Sequence, residues 1–168
     1  MAKLRPAKCY RKVKRAYTRK SKYRKYSFVR SVPAKKVVKF DQGNLKKEFE
    51  SSVNIVSKEA MQIRQNALES ARIKINRAIS KRMGNNYHLK LRIYPHHVLR
   101  ENKMLTGAGA DRMQSGMQRA FGKPMGLAAQ VKKNQKIFTL GVDKKDVNAA
   151  KKILKSSLSR LPGKYSVV

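Results

Sequence analysis

The chain has 168 residues, enough for one domain with arms, and its 42 Lys and Arg against 9 Asp and Glu give a formal net charge of +33. Charge at that density repels itself unless it lies against a polyanion, and the line of phosphates in nucleic acid is the obvious one. The chain has no Trp and no apolar run approaching a transmembrane helix, which argues against a membrane partner; its one cysteine, Cys9, excludes an intramolecular disulfide framework and fits a reducing compartment.

Residues 1–40 carry sixteen Lys or Arg and no acid, the first carboxylate being Asp41. The opening MAKLRPAKCYRK has no apolar stretch of the kind a secretory signal needs. Tyr10, Tyr17, Tyr23, Tyr26 and Phe28 are interleaved among the charges, and Pro6 and Pro33 discourage a continuous helix. Such a segment has too few aliphatic side chains to bury itself, so alone it is expected to be largely disordered. Against folded RNA its cations would neutralise phosphates and its tyrosines could stack on unpaired bases. Residues 1–36 are therefore expected to form a basic RNA-binding arm, and residues 37–168 a single α/β domain. The expected contacts in the arm are Arg5, Lys8, Tyr10, Arg11, Lys12, Lys14, Arg15, Tyr17, Arg19, Lys20, Lys22, Tyr23, Arg24 and Lys25. A solvated basic tail or a targeting signal is the plainer reading, and the regular aromatic interleaving argues against it.

Val37–Phe40 is a short strand candidate stopped by Asp41-Gln42-Gly43-Asn44. Phe49, Val53 and Ile55 alternate with Glu50, Ser52 and Asn54, which reads as a half-buried strand ending near Ser57. Ser57-Lys58-Glu59 reads as a helix start, followed by a stripe of Ala60, Ile63, Ala67, Leu68, Ala71, Ile75, Ala78 and Ile79. That helix should run to about Met83, with Gly84 as its stop. Tyr87, Leu89, Leu91 and Ile93 alternate with His88, Lys90, Arg92 and Tyr94, a strand whose polar face is basic, so Lys90 and Arg92 join the expected RNA contacts. Pro95 ends it. The adjacent His96 and His97 would point to opposite sides of an extended chain and have no second Cys or His cluster, so no metal site is expected.

Residues 101–126, ENKMLTGAGADRMQSGMQRAFGKPMG, form an internal loop holding five of the nine glycines, so its backbone can take positive φ and approach a partner closely. Lys103, Met104, Leu105, Gly107, Ala108, Gly109, Ala110, Asp111 and Arg112 show neither helical nor strand periodicity; a plain linker has no need of Met104, Leu105 and Arg112 together. Asp111–Phe121 is a short helix candidate, with Met113, Met117, Ala120 and Phe121 on one face, and Gly122–Gly126 breaks the chain. Two phosphate-loop patterns fail: Arg112 stands where a third glycine is needed after Gly107 and Gly109, and Gly116 to Gly122-Lys123 is one residue too long, with Pro124 in place of Ser or Thr. No nucleotide cofactor is expected. Leu127–Lys132 and Ile137–Val142 flank Lys133–Lys136 as a hairpin candidate. Asp143, with Asp146 in the capping-box place, opens a last helix whose stripe is Val147, Ala150, Leu154, Leu158 and Leu161; Tyr165–Val168 is a short edge strand.

The arm RPAKCYRKVKRAYTRKSKY, the approach HHVLRENKML and the string GAGADRMQSGMQRAFGKPMGLAAQV together resemble the large-subunit ribosomal protein sixteen family of the universal naming, in its archaeal and eukaryotic L ten e branch, and the resemblance spans the whole chain. It implies an α/β (α+β) fold with a hammerhead-like mixed sheet and two helices on one side. It implies a structural protein of the cytoplasmic ribosome, not an enzyme, with no cofactor. The partners it implies are large-subunit rRNA beside the peptidyl-transferase centre, the tRNA acceptor arm and elbow, and neighbouring ribosomal proteins. The segment reaching toward the tRNA would be Lys103–Arg112. The chain ends at Val168 without the long C-terminal extension of eukaryotic members, which implies an archaeal-type member.

Two other readings compete. An RNA-modifying or RNA-processing factor acting on tRNA or rRNA would need a titrating group positioned in a pocket. The loop offers only Glu101 and Asp111, and no nucleophile pairs with His88, His96 or His97. A chromatin-type DNA protein explains the charge but not the glycine- and methionine-rich loop.

Overall fold

The computed structural model describes residues 5–18, 22–29, 31–103, 105–113 and 122–168, the side chains of Ala110 and Asp111 excepted. The described elements are β1 (Asp41–Gly43), β2 (Ser51–Ser57), β3 (Met61–Arg64), α1 (Gln65–Met83), β4 (His88–Leu91), β5 (His97–Glu101), α2 (Ala110–Met113), β6 (Lys123–Val131), β7 (Lys136–Val142), α3 (Val147–Ser157) and β8 (Tyr165–Val167). The fold is mixed α and β. Five strands pair in the order β1-β4-β7-β2-β8 and three in the order β3-β6-β5, antiparallel throughout.

The helices follow their apolar stripes. Leu68, Ala71, Ile75 and Ile79 recur at helical spacing on α1 and are buried in one core with Val53, Ile55, Phe138, Leu140 and Leu154. Burying a side chain such as Ile75 contributes about 1.5–3 kcal/mol. Gly84 stops the helix at φ 58°, its N–H reaching the Ser80 carbonyl at 3.1 Å, a conformation that favours glycine. Helix α3 buries Ala150 and Leu154 and packs against α1. Tyr87, Leu89, Leu91 and Ile93 are all buried, as their alternation requires, although the paired strand is only His88–Leu91.

Several local expectations are overturned. The strand expected at Val37–Phe40 lies at Asp41–Gly43, within the residues read as its stop. Gly43 makes this possible: it has φ 92°, and a Cβ there would lie 2.1 Å from the Tyr87 carbonyl oxygen. Asn54, expected to face water, is buried because its side chain accepts from the Thr139 hydroxyl at 2.8 Å. The helix expected from Ser57 begins at Gln65; Met61–Arg64 is a strand instead, since Ile63 fits a helical stripe with Ala60 and Ala67 and equally a strand alternation with Met61, and pairing with β6 decides. Asp143 does not cap a helix with its side chain; its carboxylate accepts from Lys47 Nζ and Asn86 Nδ2, both at 2.8 Å.

The expected hairpin does not form. The turn is there, with Asn134 at φ 61°, but β6 and β7 belong to different sheets. Ser57 exchanges backbone hydrogen bonds with this turn, donating to Gln135 at 3.0 Å and accepting from Asn134 at 2.8 Å. The chain therefore crosses between the sheets twice at one corner, from β2 to β3 and from β6 to β7. Strand β6 also starts four residues early, at Lys123. Pro124, which has no N–H to donate, is accommodated where the β5–β6 register shifts between Leu99 and Arg100. Strand β5 itself falls where the sequence suggested only an approach to the loop. Beyond Met113, the expected helix with Met117, Ala120 and Phe121 lies outside the described residues.

Candidate nucleic-acid interface

The three-stranded sheet has one apolar and one polar face. Met61, Ile63, Ala129 and Val131 point into the core under α1, so the alternate positions Gln62 and Gln130, which are cross-strand partners, point the other way. The arm lies on that polar face. Gln62 Nε2 donates to the Tyr10 carbonyl at 2.9 Å, Gln130 Nε2 to the Lys14 carbonyl at 2.7 Å, and the Tyr17 N–H to His97 Nδ1 at 2.8 Å. Residues 10–17 thus cross β3, β6 and β5 in turn, held by one polar side chain from each strand.

The arm also covers both sheet edges. The Gln62 N–H of β3 reaches the Arg11 carbonyl at 3.0 Å, and the Val98 N–H of β5 reaches the Tyr17 carbonyl at 3.1 Å. Past Tyr17, whose hydroxyl donates to the Phe28 carbonyl, Val29 is buried with Val98 and Leu127. Those two residues alternate with His97 and Ala128, so the arm wraps the β5 edge onto the second face. This packing is a finding the arm's composition did not suggest.

Along the crossing lies a groove of about 840 Å3, lined by Lys8, Lys12, Lys14, Arg15 and Arg100 with the rings of Tyr10, Tyr17 and Phe28. The Arg100 guanidinium sits 4.2 Å from the Tyr17 ring centroid. Lys8, Lys12, Lys14 and Arg15 are exposed and make no salt bridge among the described residues; nearby Glu101 pairs with Arg5 at 2.9 Å. Burial, then the Glu101 charge, raises the Tyr10 phenol above its ordinary pKa, so it stays neutral. Burial, then the charges of His96 and Arg100, lowers the His97 pKa, which keeps Nδ1 free to accept.

The expected contacts are only partly gathered. Lys8, Tyr10, Lys12, Lys14, Arg15 and Tyr17 line the groove; Arg5 closes one end of the arm on Glu101; Arg11 does not line it. Lys22, Tyr23, Arg24 and Lys25 lie at the exposed turn Arg24–Tyr26. Arg19 and Lys20 lie outside the described residues. Lys90 lies in β4 of the other sheet and Arg92 just after it, Lys90 Nζ 3.6 Å from the Asp41 carboxylate and Arg92 Nε donating to Thr139 at 3.1 Å. Gln62, Gln130, His97 and Arg100 were not expected contributors; the signal available was a polar residue interrupting apolar strands. Among the described residues no three His, Cys, Asp or Glu gather to hold a metal ion.

The internal loop springs from the end of β5–β6, where Glu101 faces Lys123. Its base is tight: a Cβ on buried Gly122 would meet the Glu101 backbone at 3.0 Å. Lys103, Leu105, Gly107, Ala108, Gly109 and Arg112 are exposed, with Gly107 at φ 138° and Gly109 at φ 74°. The Arg112 N–H closes the turn on the Gly109 carbonyl at 3.1 Å. Ala110 and Asp111 begin α2, and Met104 lies outside the described residues.

The family model described as ribosomal protein L16p/L10e matches residues 14–168. The chain belongs to the L16p/L10e family of ribosomal proteins. It is 48% identical over 165 residues to the large ribosomal subunit protein uL16 of Methanoculleus marisnigri, covering 97% of this chain and 94% of that protein. It is 49% identical to the uL16 of Methanospirillum hungatei over the same shares, and 44% identical to that of Archaeoglobus fulgidus over 97% of this chain and 91% of that one. The resemblance read from the GADR and AFGKP strings is therefore correct. L16p/L10e proteins are structural, not enzymes, and the matched stretch includes Lys14, Arg15 and Tyr17 of the groove together with the whole internal loop.

Proposed function

We propose that the chain is a structural constituent of the large ribosomal subunit, that it holds large-subunit rRNA in the groove between its arm and the three-stranded sheet, and that its internal loop meets tRNA. The observation that carries the rRNA reading is the gathering of five cations in one groove with the part-buried rings of Tyr10 and Tyr17. Cations at that density neutralise phosphates and release counterions, while the rings take unpaired bases or riboses. The sheet supplies rigidity: its three polar side chains fix the arm backbone, so the cations are presented in one geometry rather than on a free tail.

The family resemblance suggests which RNA this is, namely that beside the peptidyl-transferase centre, under the acceptor arm and elbow of tRNA. The loop suits such a partner because Gly107 and Gly109 let the backbone approach closely, and Leu105 and Arg112 offer an apolar surface and a charge for a single-stranded acceptor end. The chain does no chemistry in this reading; it positions RNA.

The test is a binding titration of the full chain on large-subunit rRNA against salt. Replacing Lys12, Lys14 and Arg15 together with Ala should weaken binding and make the log–log salt slope shallower by roughly 0.7–0.9 per lost contact. Unchanged affinity and slope would contradict the groove as the rRNA site.

A further inference from the structure

A second set of cations meets on the outer face of α1, away from the arm groove. Lys74, Arg77 and Lys81 recur at three- and four-residue spacing and share one side of the helix. Lys36, from the stretch before β1, and Arg160, from the turn after α3, flank them across an open depression of about 710 Å3. The flanking segment is fixed in place: Gln65, itself buried, accepts from the Lys36 N–H at 3.0 Å and donates to the Ala34 carbonyl at 3.2 Å.

Among the described residues these charges have little acidic compensation. Glu69 is the one acid among the described residues that lines the depression, and both of its carboxylate oxygens accept from Arg72. Lys74 is committed to the end of α3, donating to the Ser156 carbonyl and to Ser159 Oγ. Lys36, Arg77, Lys81 and Arg160 are exposed and form no salt bridge among the described residues. Charges of alternating sign along a helix face mark a solvated surface that pairs with itself. Here three separate segments bring like charges together, which is unfavourable unless a polyanion occupies the surface.

The lining also says which polyanion. Among the described residues no aromatic side chain lines the depression; between the cations stand Asn66, Ser70, Ile73 and Ala78. An unpaired strand would need rings to stack on, as the arm groove provides. A double helix presents phosphates and riboses and needs only cations and small polar groups. We propose that the outer face of α1 binds the phosphate backbone of double-helical RNA, so that the chain bridges a duplex on this face and an unpaired segment in the arm groove. The inference rests on the ribosomal reading for RNA as the polyanion, and adds a second face and a division of RNA type between the two.

The experiment uses the full chain, a blunt RNA duplex and unpaired oligouridine, each titrated against salt. Arg77→Glu with Lys81→Glu changes two exposed side chains and should leave the thermal transition in place. It should weaken duplex binding and make its salt slope shallower by roughly two, while oligouridine binding stays unchanged. Arg77→Lys with Lys81→Arg keeps the charge and should retain duplex binding. The Lys12, Lys14 and Arg15 alanine variant should show the reverse preference, losing oligouridine first. Wild type held on immobilised oligouridine should capture the duplex, and the charge-reversed variant should not. The inference is overturned if charge reversal leaves duplex affinity and slope unchanged, or if it abolishes binding of polyglutamate but not of duplex, which would make the partner an acidic protein. A wild-type chain that binds neither probe overturns the proposed function and this inference with it.

Discussion

The backbone N–H of Tyr17 donates to Nδ1 of His97 at 2.8 Å, joining residues 80 apart in sequence. The bond fastens the arm to β5, and it exists only while Nδ1 carries no proton. Burial, then His96 and Arg100, hold the His97 pKa below its ordinary value of 6.5. The unfolded chain takes up a proton near that ordinary value and the folded chain does not. The contribution to stability is therefore complete above it and lost as pH falls through the lowered folded value. In the free protein, lowering the pH from about 7 to about 5 should accelerate amide exchange at Tyr17 and Val98 relative to the core, since His is the side chain that titrates in this range. A His97→Gln variant should not show this pH dependence; the same dependence in both proteins would mean that another group releases the arm.

Removing residues 1–36 should leave the main core intact, because its apolar residues begin at Val37. It should nonetheless be destabilising. The deletion removes Val29 from Val98 and Leu127, a loss of about 1.5–3 kcal/mol for a buried valine, and exposes both edges of the three-stranded sheet. Denaturant unfolding should show a lower midpoint with a cooperative transition retained, and rRNA affinity should fall. A truncated chain as stable as the full one would mean that the arm contributes nothing to the fold.

Ile75→Asp places a carboxylate at a fully buried position of α1. An unpaired buried charge costs several kcal/mol, comparable with the whole stability of a domain. The variant should not give a cooperative thermal transition or enter subunits. Normal folding would show that this face of α1 is not the packed one.

The sequence made some of this legible and hid the rest for definable reasons. The stripe Leu68-Ala71-Ile75-Ile79, the Gly84 stop and the alternation from Tyr87 to Ile93 were readable because each element buries one face and wets the other. Strand β3 was not, because its alternation Met61-Gln62-Ile63-Arg64 is only four residues long and Ile63 also fits the helical stripe with Ala60 and Ala67. The β6–β7 hairpin misled because a local turn signal at Asn134 says nothing about which sheet each strand joins. The cations of the groove were visible as composition. Their arrangement was not, since it depends on Gln130 and His97, far from them in sequence.

Replacing residues 104–111 with a Gly-Ser linker should leave the domain folded, since the described residues there are exposed and loop closure entropy varies slowly with length. Subunits carrying it should have normal composition yet be slower in tRNA accommodation or peptide-bond formation, because misplacing a reacting end by a small distance costs a large factor in rate. Equal rates would reduce the loop to a structural insertion, and failure to assemble would mean that it holds rRNA.

Ultraviolet cross-linking of intact large subunits containing this chain, followed by mapping of the nucleotide-bearing peptides, tests the groove most directly. Cross-links from Tyr10, Tyr17 and the Lys12–Arg15 segment to large-subunit rRNA are expected. Subunits that contain the chain but yield rRNA cross-links only from other surfaces, with the groove peptides unmodified, would contradict the assignment.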